Sequence, residues 1–327
     1  MTMPWKWVTV ALASSPDGAG IKVFSKAVKG FDCNVNGLRN LYITATLLLV
    51  SPAAAAELPL TIEDLIAEEG RTQLDMSVTY VNDQSQRLST GDAIIVPTGD
   101  ASFVLLPTRF GEFESNTDAF IGTLGLRRGV TRDTEIYVRA SYLYRNERYG
   151  DLSGNFKDTE NRFLSSWVGL NHQFSRDGKT PALLGFIEGA AYEKYQQGSD
   201  SGKSWALGLT TYRAIDPVVL SVTGSFQWNQ ERDDGEASYE PGNLFFLTPS
   251  VAFAVNDRVT LTSGFKWTFL EAGYLDDEPQ GFDRTSTDLT LGLGYGVSKG
   301  NTLNVSFSAN VSGQSGASLR FNWLYAI

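Results

Sequence analysis

The stretch Thr302-Leu-Asn-Val-Ser-Phe-Ser-Ala-Asn-Val-Ser312 alternates from end to end. Leu303, Val305, Phe307, Ala309 and Val311 fall on one side, and Thr302, Asn304, Ser306, Ser308, Asn310 and Ser312 on the other. Extended backbone sends successive side chains to opposite faces, so a period of two marks a strand with two unlike surroundings. The polar face is the informative one. In a soluble two-sheet protein it would meet water and be rich in Lys and Glu, whereas here it is Ser, Thr and Asn. Such a strand fits acyl chains on its apolar side and a narrow, wet lumen on the other.

The same pattern extends back along the chain. Thr290–Val297 sets Leu291, Leu293, Tyr295 and Val297 against Thr290, Gly292, Gly294 and Gly296. Val259–Phe269 sets Val259, Leu261, Phe265, Trp267 and Phe269 against Thr260, Thr262, Gly264, Lys266 and Thr268. Twelve such segments are expected, at 72–83, 117–129, 134–146, 161–174, 182–195, 203–215, 218–229, 245–256, 259–271, 285–297, 302–312 and 317–327. Segment 182–195 is the least clear, since Leu183/Ile187 and Leu184/Phe186 compete for the apolar face. Runs of about eleven to thirteen residues exceed the usual soluble strand and match what a tilted strand needs to cross a bilayer. Short connections at 129–133, 175–181, 216–217, 256–258 and 298–301 alternate mostly with long ones at 84–116, 147–160, 230–244 and 272–284. That asymmetry, with an even strand count, places both termini at the short-turn, periplasmic end. Trp205, Trp228 and Trp267 fall near the long-loop ends, and Tyr295 and Tyr325 near the other, as two interfacial girdles would.

Composition agrees with this reading and excludes others. The chain has 327 residues, 27 basic and 37 acidic, for a net charge of −10. A nucleic-acid binder needs a concentrated basic face. One His and one Cys cannot furnish a four-thiolate or two-histidine metal site, and no cofactor is expected. Residues 1–56 read as a leader: Arg39 precedes the apolar run 41–50, and Ala54-Ala55-Ala56 offers a small-residue cleavage site before Glu57. Residues 1–34 are long for such a leader, and a start near Val35 is the simpler expectation. The leader holds 5 of the 27 basic and 2 of the 37 acidic residues, leaving 22 and 35, a net −13, and it takes Cys33 with it.

Between leader and first strand, Leu60–Gly70 reads as a short amphipathic helix. Thr61 is its N-cap, Asp64 the reciprocal acceptor, and Gly70 the left-handed terminator. Residues 57–71 are thus expected as a plug held by Ile62, Leu65 and Ile66, with the barrel at 72–327. By strand parity Asp75, Arg127, Glu135, Arg139, Lys266, Asp288 and Arg320 should line the lumen. The first long loop holds two apolar runs, Ala93–Pro97 and Phe103–Pro107. They should either fold inward as a constriction or pack on a neighbouring subunit. Acidic loops around 233–240 and 271–283 are solvated or bridge through divalent cations to lipopolysaccharide. His172 lies near the short turn at 175–181, which suits an interfacial side chain better than a catalytic base and argues against an enzyme.

The alternation to the last residue in Gly316–Ile327 is similar to the C-terminal signal by which the barrel-assembly machinery recognises Gram-negative barrels, which most often end in Phe rather than Ile. With leader, short helix and twelve strands, the chain resembles Gram-negative outer-membrane transporter barrels. Gly129-Val-Thr-Arg-Asp133-Thr-Glu-Ile136 resembles turns of the barrel family linked to phenol degradation. Leu60–Gly70, followed by Arg71–Tyr80, is similar to the helix-to-strand junction of the functional-amyloid (Fap-type) secretion channel, a twelve-stranded trimer whose long periplasmic coiled coil is missing here. The fold class expected is all-β, a twelve-stranded antiparallel transmembrane barrel with a short N-terminal helix. The resemblance implies a porin-like channel for small solutes, hydrophobic or aromatic ones included, gated by that helix. Alternatives are a polypeptide secretion channel, a lipid hydrolase, or a structural or adhesive barrel. The partners implied are the bilayer, lipopolysaccharide, the assembly machinery, the solute or polypeptide, and a homotrimer, with no nucleic acid.

Overall fold

The computed structural model describes residues 66–90, 94–99, 102–106, 110–151, 154–195, 198–233, 238–313 and 316–327. Twelve of its strands form the barrel wall. They are β1 (Thr72–Thr90), β2 (Phe110–Thr131), β3 (Thr134–Asp151), β4 (Gly154–Ser175), β5 (Ala182–Tyr195) and β6 (Ser204–Ile215), followed by β7 (Val218–Asn229), β8 (Leu244–Ala254), β9 (Val259–Leu270), β10 (Arg284–Ser298), β11 (Asn301–Asn310) and β12 (Ala317–Ala326). Each pairs antiparallel with its neighbours in sequence, and β1 pairs with β12 from Gln73↔Ala326 to Asn82↔Ala317, closing the sheet. Closure leaves no open edge of unpaired amides, the condition for backbone to lie in hydrocarbon.

The outer face is apolar. Leu124, Val138, Leu207, Leu209, Phe265, Leu291, Phe307 and Phe321 all stand exposed there, alternating with inward residues. Trp205 and Trp228 face each other across β6 and β7 and, with Trp267, mark the long-loop boundary; Tyr295, Trp323 and Tyr325 mark the other. Trp267 lies eight residues along β9 from Val259, the partner of Tyr295. At about 3.3 Å per residue and a tilt near 40°, the girdles stand about 20 Å apart, close to the apolar height of an outer-membrane barrel.

The strands are unequal. β1 to β4 run 18 to 22 residues, whereas β11 and β12 have 10 each. Residues 83–90 of β1 pair only with β2, so this side of the wall rises past the rim. The segments expected as loops at 84–116 and 147–160 are therefore largely strand: β3 and β4 stay paired up to Asp151↔Gly154, and Tyr149 stacks on Phe156 at 5.3 Å. Cross-strand pairing held what composition marked as loop. The acidic loops pair too, as a small sheet of Arg232–Asp233, Ser238–Glu240, Gly273–Leu275 and Glu278–Gln280. Asp276 and Asp277, with φ of 51° and 65°, make its two-residue turn.

The apolar runs of the first loop fold inward. Ile94–Pro97 pairs with Phe103–Leu106 as a hairpin inside the barrel. Val96 and Leu106 are wholly buried, packed with Val104 against Val81, Ala119, Ile121, Leu143 and Leu164 of β1 to β4. Phe103 crosses to the far wall and meets Phe246 edge-on at 4.3 Å.

Residues 66–70, expected as the last turn of a helix, are not helical. Their backbone groups go to the barrel instead: Glu69 forms a parallel bridge with Gly129, and Gly70 N donates to Gly129 O at 2.9 Å. Gly70 does adopt the left-handed conformation expected of it, with φ of 77°, closing a turn in which Arg71 N donates to Glu68 O. Ile62 and Leu65 lie outside the described residues. Ile66 is buried against Ala182, Leu184 and Tyr212.

Candidate functional site: the barrel interior

Three polar groupings occupy the interior at successive depths. Nearest the short-turn end, Glu135 is fully buried on β3. Its Oε1 accepts from Arg127 Nε and Nη2 at 3.0 and 2.5 Å and from Asn171 Nδ2 at 2.6 Å, while Oε2 accepts from Ala67 N at 2.7 Å. The carboxylate thus neutralises one wall cation and holds the segment that precedes β1. A buried charge is tolerated in this way, paired and saturated with donors. Gly129 completes the seat. A methyl carbon there would stand 2.6 Å from the Glu68 carbonyl carbon and closer still to the carbonyl oxygens of Ala67 and Glu68.

Two positions up β3, Tyr137 hydroxyl donates to Glu188 Oε2 at 3.0 Å. Two further, Arg139 forms a two-pronged pair with Glu188, Nε to Oε2 at 3.2 Å and Nη2 to Oε1 at 2.8 Å. The guanidinium lies 5.0 Å from the Trp167 ring centroid. This pair belongs wholly to the wall, and the hairpin reaches it through neutral groups. Arg139 Nη1 donates to Thr98 Oγ1 at 2.8 Å, and Ser102 Oγ contacts Glu188 Oε2 at 3.5 Å. Thr79 Oγ1 adds a bond to Pro97 O at 3.2 Å.

On the opposite wall Lys266 pairs with Asp288 at 2.9 Å and lies 5.2 Å from the Phe103 ring centroid. Asn310 Nδ2 donates to Asp288 Oδ1 at 3.0 Å, and Asn322 Nδ2 donates to Asp75 Oδ1. Arg320, at 8% exposure, faces inward level with Ser306 of β11 and Thr79 of β1.

All seven charged positions singled out by parity therefore face the interior, but they form separate groups rather than one ring. Arg127 joins Glu135, Lys266 joins Asp288, and Arg139 pairs with a residue that parity did not select. Glu188 sits on β5, whose inner face mixes Leu184 and Phe186 with carboxylates, so alternation gave no clean signal there. Register shifts between β4 and β5 at Ser166/Trp167 and Gln173/Ser175 blur it further. Also missed was a group at the outer mouth: Arg145 and Arg162 on Glu160 at 2.8 and 2.9 Å, and Arg232 on Glu193 at 3.1 Å. Those residues fall where loops were expected or next to them. His172 lies near the short-turn end, its Nδ1 2.8 Å from Thr134 Oγ1 and its ring edge-on to Phe174.

A closed twelve-stranded barrel with an apolar exterior, two aromatic girdles and a polar interior partly filled by its own chain has the fold of outer-membrane β-barrels. Comparison with solved structures returns one that shares the fold, and others of lower similarity. An outer-membrane channel from Pseudomonas putida F1 superposes with a TM-score of 0.55 at 12% identity, covering 85% of this chain and 100% of that one. The transport unit of the autotransporter AIDA-I from Escherichia coli gives 0.48 at 11% identity, over 81% of this chain and 93% of that one. The Pseudomonas putida toluene transporter TodX gives 0.38 at 10% identity, over 83% and 92%. No protein-family model matches the sequence, and no curated protein matches it significantly.

Proposed function

We propose that this chain is a channel of the Gram-negative outer membrane, akin to the barrels linked to phenol degradation. It passes small solutes, hydrophobic and aromatic ones included, and is closed at rest by the segment before its first strand. The observation that carries this reading is the seat built for that segment. Glu135, wholly buried, turns one oxygen to the Ala67 amide, and Gly129 presents no side chain where the Ala67–Glu68 backbone passes close. A wall shaped around a piece of chain that takes no part in barrel closure has the form of a plug and socket.

The inner wall of β1 to β4 supports the solute class. Val81, Ala119, Ile121, Leu143 and Leu164 form an apolar slot that the hairpin fills. With the hairpin displaced, the slot would accept an apolar molecule of similar girth, since burial of apolar area is the driving term. The likeness to an outer-membrane channel supports the location, with β12 as the element that the assembly machinery would read. Single-channel recording in planar bilayers, with and without residues 58–70, tests the reading. Deletion should raise the conductance. Unchanged conductance would remove the gate, and silence in both proteins would leave a structural or adhesive barrel.

A further inference from the structure

The interior has a second side that the described contacts of the plugs leave alone. The described contacts of the hairpin fall on β1 to β5, β8 and β9, and those of residues 66–70 on β2, β3 and β5 to β7. Along β9 to β11, below the Lys266–Asp288 pair, the inward positions are small and neutral, Thr262, Gly292 and Ser306 at one level and Thr260, Gly294 and Asn304 at the next, while Arg320 of β12 stands beside Ser306. Ser306 is exposed although it points into the barrel, as its neighbour Phe307 points out. Thr260 is the reverse. It is 2% exposed, and its Oγ1 has no hydrogen-bond partner among the described residues. Gln73 Oε1, at the same end of the inner wall on β1, is buried and unpartnered too.

A buried polar atom left without a partner is costly, so such groups are nearly always satisfied by protein, water or ligand. Here two stand at the inner end of a strip whose middle is open to solvent. The charges bordering it balance: Lys266 pairs with Asp288, and the Arg320 cation of β12 and the Asp75 carboxylate of β1 add one of each sign. We infer that this strip is a water-filled seam, off the barrel axis, that admits small neutral hydrogen-bonding molecules such as polyols and pentoses past both plugs. Its wall offers hydroxyl and amide groups in register steps, and the charges that border it sum to zero, so no net charge favours an ion of either sign. The inference rests on the channel reading above and assigns its polar traffic to a separate path.

Substituted-cysteine accessibility tests it in the full chain carrying Cys33→Ser. In planar bilayers, a membrane-impermeant cationic methanethiosulfonate should label Ser306→Cys and cut its conductance more than twofold. It should also slow liposome swelling in glycerol and arabinose, while charged lysine and glutamate enter at least tenfold more slowly than arabinose in the unlabelled protein. Val96→Cys, between hairpin and wall, should stay unlabelled and conducting. Phe307→Leu, on the outward face of the same strand, is the folding control and should match the parent. No reaction at Ser306→Cys, reaction without block, faster entry of charged solutes, or block through Val96→Cys would each overturn the seam. Block through Val96→Cys would leave the channel reading standing, whereas silence of the parent protein would end both.

Discussion

Replacing Gly129 with alanine should free the inner plug and leave the barrel intact. The position is not one of those in the left-handed region, so alanine meets no backbone penalty there. The new methyl carbon, however, would lie 2.6 Å from the Glu68 carbonyl carbon. Ordinary carbon contacts begin near 3.5 Å, so the segment has to retreat by about 1 Å. Three bonds are then stretched beyond use: Gly70 N to Gly129 O at 2.9 Å, Gly129 N to Arg71 O at 3.1 Å, and Ala67 N to Glu135 Oε2 at 2.7 Å. Neutral bonds contribute about 1 kcal/mol each and one to a carboxylate about 1.5–3, for about 3–5 kcal/mol in total. At 1.4 kcal/mol per decade, the undocked fraction rises between about a hundredfold and a few thousandfold. The assay is the rate at which Ala67→Cys, in the Cys33→Ser background, reacts with an aqueous thiol reagent, read beside conductance. Gly122→Ala is the control, on the same strand with nothing within 4 Å of the added carbon. If Gly129→Ala left both labelling and conductance within twofold of the parent, the socket would have no role in holding the segment.

Other perturbations follow from the same geometry. Glu188→Ala leaves Arg139, 7% exposed, without its partner; it should cost about 3–5 kcal/mol and lower the temperature at which the barrel loses its compact gel mobility, and adding Arg139→Met should restore part of the loss. Leu106→Asp puts a charge into a wholly buried apolar site and should unseat the hairpin, raising open-channel current without changing the strand content seen by circular dichroism. Leu291→Arg places a cation between the girdles on the outward face of β10 and should destabilise the protein in vesicles by about 2–4 kcal/mol, measured by urea unfolding; an effect under 0.5 kcal/mol would mean that this face does not meet lipid.

The sequence made the wall legible and the contents of the barrel much less so, for a physical reason. A strand between lipid and a wet lumen has two sharply different faces, so β9 to β12 could be placed to within one or two residues from alternation alone. Where the lumen is filled by chain, that contrast disappears. Val81, Ile121 and Leu143 are apolar because the hairpin covers them, yet Phe120 and Tyr142 beside them are exposed on the outer face. Period-two reading therefore weakens in β1 to β4 at the depth where the hairpin lies, and it failed to settle β5, where Glu188 is buried. The inward turn of 94–106 was one of two outcomes open to an apolar loop, and only long-range packing chose between them. The helix expected through residue 70 was overridden by competition: 66–70 carry helix-forming residues, but the barrel offers their amides a carboxylate and a strand edge at fixed positions, without the nucleation cost of a short helix.

The hairpin and the segment before β1 are held by different kinds of force, and this decides what each would answer to. The hairpin is seated by side-chain burial on the β1 to β4 wall and on Phe246, while its polar contacts are neutral groups laid on an ion pair that the wall completes by itself. Lifting it away leaves Arg139 and Glu188 paired, so the electrostatic cost of opening is small and the apolar cost dominates. Anything apolar that takes over the slot offsets that cost directly. The inner segment is the opposite case. Ile66 contributes some burial, but the seat is defined by the Glu135 carboxylate, whose remaining partners are Arg127 and Asn171. Removing the segment strips one donor from a buried charge, and no apolar molecule can replace it, whereas water or a polar solute can. On the channel reading, an apolar solute would therefore loosen the hairpin and a hydrated one the inner segment, so the two seats would answer to different chemistry.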